Sequence, residues 1–373
     1  MTVDPNFLYQ PITVTDIAAR ALENDLDRPV IILDENTTIT AGQLRDDISR
    51  FEQALKSLSP APTRAALLSK NRPEVPGVFY ALSFAPIVST ALHPMGSIED
   101  YLYVIEDAEI DLLIYDDQYE DKVAELKARA PRIRHFVSIG KAGVGTPIQE
   151  LAAPFEPKKL VAPNVDPDGL ARIAYSGGTT GKPKGIMCTH RSALTSGLIM
   201  MTEWEMPEEL RHIVCAPLSH AGAAMLLPVL ARGGQMIVLP GFDPVSFMET
   251  VQKYRITSAL MVPTMVLSLI DHPRFDEFDL SSLEVIWYGA SAFPAARLRD
   301  AINKLGPIFF QFYGQAEAPM SITVMKRKDH ISNDPLRFAS CGRPTPWVHV
   351  ALMDDDMNEV PDGEPGEICV RGP

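Results

Sequence analysis

Short apolar runs alternate with amphipathic stretches along most of this 373-residue chain, and that alternation limits the possible folds more than any other feature. Leu44, Ile48, Phe51, Leu55 and Leu58 recur at steps of four and three, which predicts one apolar helix face. Residues 65–68 read as a short strand and 75–82 as a helix. Ser97-Ile98-Glu99-Asp100 resembles a capping-box start, with Tyr101, Leu102 and Ile105 supplying the apolar face behind it. Residues 112–115, 136–139, 170–174, 213–216, 236–239, 259–262, 285–288 and 308–312 read as buried strands. Helices are expected at 221–231, 245–254, 264–271 and 295–305. Strands alternating with helices predict an α/β fold: layered, mostly parallel sheets flanked by helices, in two similar subdomains.

The segment 140–168 breaks the pattern. It carries Pro147, Pro154, Pro157, Pro163 and Pro167 and little periodicity, which suits a connection between subdomains. A first α/β subdomain is therefore expected over 1–165 and a second over 166–336. From 337 to 373, short apolar runs alternate with turn signals such as Met357-Asn358 and Pro361-Asp362-Gly363, predicting a small β unit. A formal net charge of −14 argues against a general nucleic-acid or anionic-membrane surface, although it leaves room for a local basic pocket. No signal peptide is read at the N-terminus. The most apolar stretches, 78–92 and 221–231, are short and interrupted by Pro86 and Pro228, so no transmembrane segment is expected. Cys188, Cys215, Cys341 and Cys369 lie far apart without metal-ligand spacing and read as buried free thiols. A cytoplasmic protein is the expectation, with homo-oligomer formation left open.

The stretch from Tyr175 to Gly185 reads Y-S-G-G-T-T-G-K-P-K-G, directly after an apolar run. Glycines let backbone N–H groups converge on phosphate oxygens. The hydroxyls of Ser176, Thr179 and Thr180 add donors, and Lys182 and Lys184 add charge. The P-loop of nucleotide hydrolases needs four residues between its first glycine and Gly-Lys, then Ser or Thr. Here Gly177 leaves three, position 176 is serine, and Pro183 follows Lys182.

This loop resembles the phosphate-binding signature of the acyl-adenylate-forming superfamily, which contains acyl-CoA synthetases, peptide-synthetase adenylation domains and beetle luciferases. Further family patterns follow in order, so the resemblance covers nearly the whole chain. It implies that Ser176, Gly177, Gly178, Thr179, Thr180, Gly181, Lys182 and Lys184 hold the phosphates of ATP or AMP, making 166–336 the nucleotide-binding subdomain. Phe312-Tyr313-Gly314-Gln315-Ala316-Glu317 resembles the family's Tyr-Gly-x-Thr-Glu. In that resemblance Tyr313 lies along adenine and Glu317 ligates magnesium, a hard ion suited to oxygen. Gly289-Ala290-Ser291, before an expected first-turn Pro294, resembles the segment under the base; alone it reads as a plain strand-to-helix turn. Pro217-Leu218-Ser219-His220-Ala221-Gly222 matches the segment whose histidine lies at the acyl pocket, giving His220, Ala221 and Gly222 as substrate residues. Val262-Pro263-Thr264 fits either pocket wall or core packing.

The chemistry the resemblance implies is activation of a carboxylic acid by Mg·ATP to an acyl-adenylate, then transfer to coenzyme A. Thr180, Lys184 and Glu317 would be its catalytic residues. A fatty- or aromatic-acid CoA ligase is the expected type. An amino-acid adenylation domain and a catalytically impaired nucleotide-binding regulatory or scaffold protein are the alternatives. One departure stands out: Ala316 occupies the position of the family's threonine, whose hydroxyl lies near the α-phosphate. Residues 366–373, Gly-Glu-Ile-Cys-Val-Arg-Gly-Pro, resemble the motif near the end of the family's large N-terminal domain. The expectation is therefore that domain only, a truncated form without the ribose-binding aspartate, the hinge and the small C-terminal domain.

Overall fold

The computed structural model describes residues 11–176, 183–331 and 334–373. In chain order its first strands are β1 (Pro29–Ile32), β2 (Thr38–Thr40), β3 (Arg64–Leu68), β4 (Val88–Ala91), β5 (Leu112–Asp116), β6 (His135–Ile139), β7 (Thr146–Pro147), β8 (Leu170–Ser176) and β9 (Lys184–Thr189). There follow β10 (Arg211–Val214), β11 (Gln235–Val238), β12 (Ser258–Met261), β13 (Val285–Tyr288), β14 (Phe309–Gln315), β15 (Ala318–Met325), β16 (Arg343–Pro344), β17 (His349–Met353) and β18 (Glu367–Arg371). The chain divides into two compact units. One comprises Met1–Leu194 and Pro217–Gly241, the other Thr195–Ala216 and Phe242–Pro373. Both are α/β, as the alternation predicts.

In the first unit seven strands run in the order β7-β6-β5-β3-β4-β8-β9. Pairing is parallel from β7 through β8, and only the β8–β9 pair is antiparallel. Every residue of β5 is buried, as expected for a strand covered on both faces. Helix Ile98–Asp107 starts where Ser97 and Asp100 close a capping box, each side chain accepting the other's backbone N–H. It turns Tyr101, Val104 and Ile105 into a core with Val123 and Leu126 of helix Glu120–Arg129. Removing each such side chain from water contributes about 1.5–3 kcal/mol. Helix Ala41–Ser57 is capped in the same way by Thr40 and Gln43 and buries Leu44, Ile48, Phe51 and Leu55. Leu58 stands just beyond it as the C-cap. Strands β1, β2 and β11 also belong to this unit, β1 pairing antiparallel with β2 and parallel with β11.

The amino ends of β3, β5 and β6 are tied by one carboxylate. Asp111 accepts hydrogen bonds from the N–H groups of Thr63 and Arg64, from the Thr63 hydroxyl at 3.0 Å and from the Arg134 guanidinium at 2.8 Å. Burial pushes its pKa up, but those donors outweigh burial and hold it below the ordinary aspartate value.

In the second unit the order is β10-β12-β13-β14-β15-β16. It is parallel from β10 to β14 and antiparallel thereafter. All four residues of β13 are buried, and the Trp287 indole N–H donates to the Trp204 carbonyl at 2.7 Å. Asp243 caps helix Pro244–Tyr254 through the Ser246 N–H, with Pro244 in its first turn. Helices Pro263–Ile270 and Ala295–Leu305 follow β12 and β13. The expected small β unit corresponds to the antiparallel pair β17–β18.

The structure departs from the sequence reading at several places. Strand β8, expected to open the second subdomain, pairs with β4 in the first unit, so the contact boundary does not fall at 165. The proline-rich 140–168 segment is tethered: the Gln53 amide donates to the Glu156 carbonyl and the Lys158 N–H to the Ser49 hydroxyl. Prolines suppress periodicity without preventing such docking. The 221–231 helix is a 3₁₀ segment, Ala221–Met225, followed by the α-helix Leu226–Ala231. Beyond 337, β16 joins the large sheet through β15 instead of the small unit. Pro294 is an N-cap, one position before the first turn. The four cysteines are outside any disulfide, but only Cys188 and Cys215 are buried. Among the described residues no helix is long and apolar enough to cross a membrane.

Candidate active site

In an α/β sheet, residues just past the carboxyl ends of parallel strands are those the fold leaves available to a ligand. Each predicted site segment with described residues can be placed against that rule, unit by unit.

In the first unit, β8 and β9 are the two stems of the glycine-rich loop. Ser176 pairs with Lys184 and Tyr175 with Gly185. Gly177, Gly178, Thr179, Thr180, Gly181 and Lys182 lie outside the described residues. Lys184, the first residue of β9, is exposed. The incoming stem is pinned, because the Tyr175 hydroxyl donates to Asp107 at 2.5 Å and its ring meets Tyr103 edge-on. Burial, and then the bond to Asp107, push the Tyr175 pKa up. Glycine at 185 is set by packing, since a Cβ there would lie 3.1 Å from the Tyr175 ring and from Ile173.

The His220 segment follows β10, crossing back into the first unit at Pro217. The N–H groups of His220 and Gly222 both donate to the Pro217 carbonyl at 3.0 Å, folding the segment into a compact turn. Ala221 and Gly222 open the 3₁₀ segment, with Gly222 buried. The His220 Nδ1 lies 3.0 Å from the Ser219 hydroxyl. Its ring meets the His93 ring edge-on, with centroids 5.3 Å apart. His220 is exposed, yet desolvation of its ring, and then repulsion from His93, lower its pKa below the ordinary histidine value. The ring is therefore neutral near pH 7.

In the second unit, Val262-Pro263-Thr264, Gly289-Ala290-Ser291 and the Tyr313–Glu317 stretch follow or end the neighbouring parallel strands β12, β13 and β14. Val262 and Pro263 start the next helix, with Pro263 buried and Thr264 exposed. Gly289 permits a close approach, since a Cβ there would lie 2.5 Å from the Phe312 carbonyl oxygen. Ala290 is exposed and takes a left-handed φ of 67°, a conformation that costs a non-glycine residue about 1–2 kcal/mol. Such strain at a strand-to-helix turn marks sites held in place by their surroundings. Ser291 is exposed. Phe312 is buried and stacks on Trp204 at 4.7 Å.

Beyond Phe312 the strand continues to Gln315 and turns back as β15, so Ala316 and Glu317 are the two-residue turn of a hairpin. Gln315 donates to the Tyr313 hydroxyl at 3.0 Å. Glu317 is exposed at the tip. Gly314 lets the two strands close, because a Cβ there would lie 2.2 Å from the Met320 backbone nitrogen. Among the described residues no cluster of three or more metal-ligating side chains exists. A single exposed carboxylate still fits magnesium held mainly by nucleotide phosphates and water, which needs one or two protein carboxylates. It does not fit an all-protein cage.

Sequence reasoning missed three features. The β15 return strand, which makes 316–317 a turn, was hidden by Ala318-Pro319 at its start. The Tyr175–Asp107 tether and the Asn71 contact described below join residues far apart in sequence. The polar run Ser69-Lys70-Asn71-Arg72 after a buried strand was the one available signal for Asn71.

The chain is 43% identical over 361 residues to the medium/long-chain-fatty-acid–CoA ligase FadD8 of Mycobacterium tuberculosis, covering 95% of this chain and 62% of that protein. It is 31% identical to a feruloyl-CoA synthase of an Amycolatopsis species, covering 90% of this chain and 65% of that protein. It thus spans less than two thirds of the length of both. The crystal structure of ATP-bound MatB from Rhodopseudomonas palustris superposes with a TM-score of 0.82 at 25% identity, over 97% of this chain and 70% of that one. A family model described as AMP-binding enzyme matches residues 18–373, and the chain therefore belongs to the AMP-binding enzyme family.

Proposed function

We propose that this chain activates a carboxylic acid with ATP, and that the acyl group then passes to coenzyme A in the whole protein. The observation that supports the reading is the hairpin β14–β15: β14 pairs with β13, Phe312 lies against Gly289 of the strained 289–291 turn, and Glu317 is exposed at the hairpin tip. In the first step a carboxylate oxygen attacks the α-phosphorus of ATP. The bond from that phosphorus to the bridging oxygen breaks and pyrophosphate leaves. In the second, the thiol sulfur attacks the acyl carbon, AMP leaves, and the thiol proton goes to solvent. Residues Ser176 to Lys182 and Lys184 would hold the phosphates, with Thr180 and Lys184 stabilising the charge that develops there. Donors preorganised around developing charge lower a barrier because they need no reorganisation during attack. Glu317 would hold magnesium, which neutralises phosphate charge when bound. Tyr313 and the 289–291 turn position the base, and His220, Ala221 and Gly222 meet the acid.

Relatives named as a fatty-acid–CoA ligase and a feruloyl-CoA synthase support a fatty or aromatic acid as substrate. The test is acid-dependent exchange of pyrophosphate into ATP with octanoate, palmitate and ferulate. Exchange with at least one acid, reduced at least about tenfold in Glu317→Gln, is expected. Nucleotide binding without exchange for any acid would refute the reading. It would favour a nucleotide-binding regulatory protein, for which Ala316 in place of threonine is the supporting observation.

A further inference from the structure

Counting β3 as the first strand, the five strands β3 to β7 stand in the order 5-4-3-1-2. This is a doubly wound arrangement whose direction reverses between β3 and β5, where such sheets usually take a ligand. Here that crevice is filled. Arg72, just past β3, donates to Asp116, the last residue of β5, at 3.0 Å, to Asp117 beyond it at 3.2 Å, and to Glu74 at 3.1 Å. The binding role is left to the neighbouring side, past β3 and β4.

Two independent contacts join that side to the His220 turn. The Leu218 N–H donates to the Asn71 side-chain oxygen at 2.7 Å, with both residues buried. The His220 and Gly222 N–H groups, by contrast, close the turn upon itself through the Pro217 carbonyl. His93, two residues past β4, places its ring edge against His220. His93 is itself held on both sides: its carbonyl accepts the Tyr101 hydroxyl at 2.7 Å, and its Nδ1 accepts the Met95 N–H at 3.2 Å. A backbone N–H can only donate, so in the neutral ring the proton sits on Nε2. The two rings thus meet edge-on, one carried just past β4 and one by the turn.

We infer that Asn71 and His93 are positioning residues that orient His220 and thereby set which acids are accepted, an inference that rests on the acid-activating reading above. Asn71 sets where the turn lies, and His93 sets the tilt of the imidazole. Small shifts of a side chain lining a substrate pocket change discrimination between acids by about ten- to two-hundredfold, while leaving nucleotide contacts alone.

The test is the pyrophosphate exchange of wild type, His93→Ala and Asn71→Ala with octanoate and ferulate, alongside KM for ATP and thermal midpoints. His93→Ala is expected to change the ratio of kcat/KM for the two acids by about tenfold or more, with KM for ATP within twofold. Asn71→Ala is expected to raise KM for both acids by about tenfold, again sparing ATP. His93 is exposed, so its variant folds and decides the matter even where Asn71→Ala does not. Unchanged selectivity, or parallel losses for acids and ATP with a lowered midpoint, would overturn the positioning role. A wild type that exchanges with none of octanoate, palmitate and ferulate would remove the acid-activating reading, and this inference with it; the two failures are thus distinguished by the wild-type measurement.

Discussion

Gly314→Ala tests the link between hairpin geometry and chemistry. A Cβ built at Gly314 lies 2.2 Å from the Met320 nitrogen, 2.6 Å from the Ala318 oxygen and 2.9 Å from the Met320 Cα. All three are backbone atoms of the paired strand, so no side chain can swing aside. Restoring ordinary contact at 3.4 Å requires β14 and β15 to part by about 1.2 Å at this point. The turn carrying Ala316 and Glu317 lies two residues away and must move with them. Overpacking of this kind costs about 1–3 kcal/mol, and a misplacement of about 1 Å costs on the order of 10²-fold in rate. The variant should therefore lose about 10²-fold in acid-dependent pyrophosphate exchange while its thermal midpoint falls by a few degrees. Gly241→Ala is the control, because a Cβ there meets nothing within 4 Å. Full exchange activity in Gly314→Ala, with a midpoint equal to that of the control, would show that the hairpin has slack and that its placement does not govern the rate.

Ala290→Gly should stabilise the second unit by about 1 kcal/mol, because glycine takes the left-handed φ at no steric cost. A midpoint raised by about 2–4 °C in calorimetry is expected, and a lowered one would mean that the exposed methyl makes contacts worth more than the strain. Asp111→Asn should destabilise the first unit by about 2 kcal/mol at neutral pH, since the charged acceptor of several donors is lost. The folded pKa is depressed, so the carboxylate's contribution is present above its unfolded value near 3.9 and is lost as pH falls through the lower folded value. The gap between wild type and Asp111→Asn should accordingly narrow below about pH 4 in denaturant titrations. A gap independent of pH would show that shape, not charge, is what Asp111 supplies.

Much of the architecture was legible in the linear chain because it depends on local periodicity. Strands β3, β5 and β13 are continuous apolar runs, and the helices after β12 and β13 carry proline at or just before their starts. Backbone hydrogen bonding and burial act over a few residues there, so spacing alone predicts them. The same holds for the capping box at Ser97 and for the glycine-rich stretch, whose composition announces close backbone approach to an anion.

What spacing could not predict was every feature that depends on which strand lies beside which. Strand β8 reads as the opening of a new subdomain, yet it finds its partner in β4, about eighty residues earlier. The segment after Phe312 reads as a motif, and only the return of β15 makes Ala316 and Glu317 a turn. Asn71 meets Leu218 and His93 meets His220 across long sequence separations. A chain encodes its elements through neighbours in sequence. Their pairing, and the side chains that meet because of it, follow from burying all the apolar faces at once, and only the folded chain satisfies that condition.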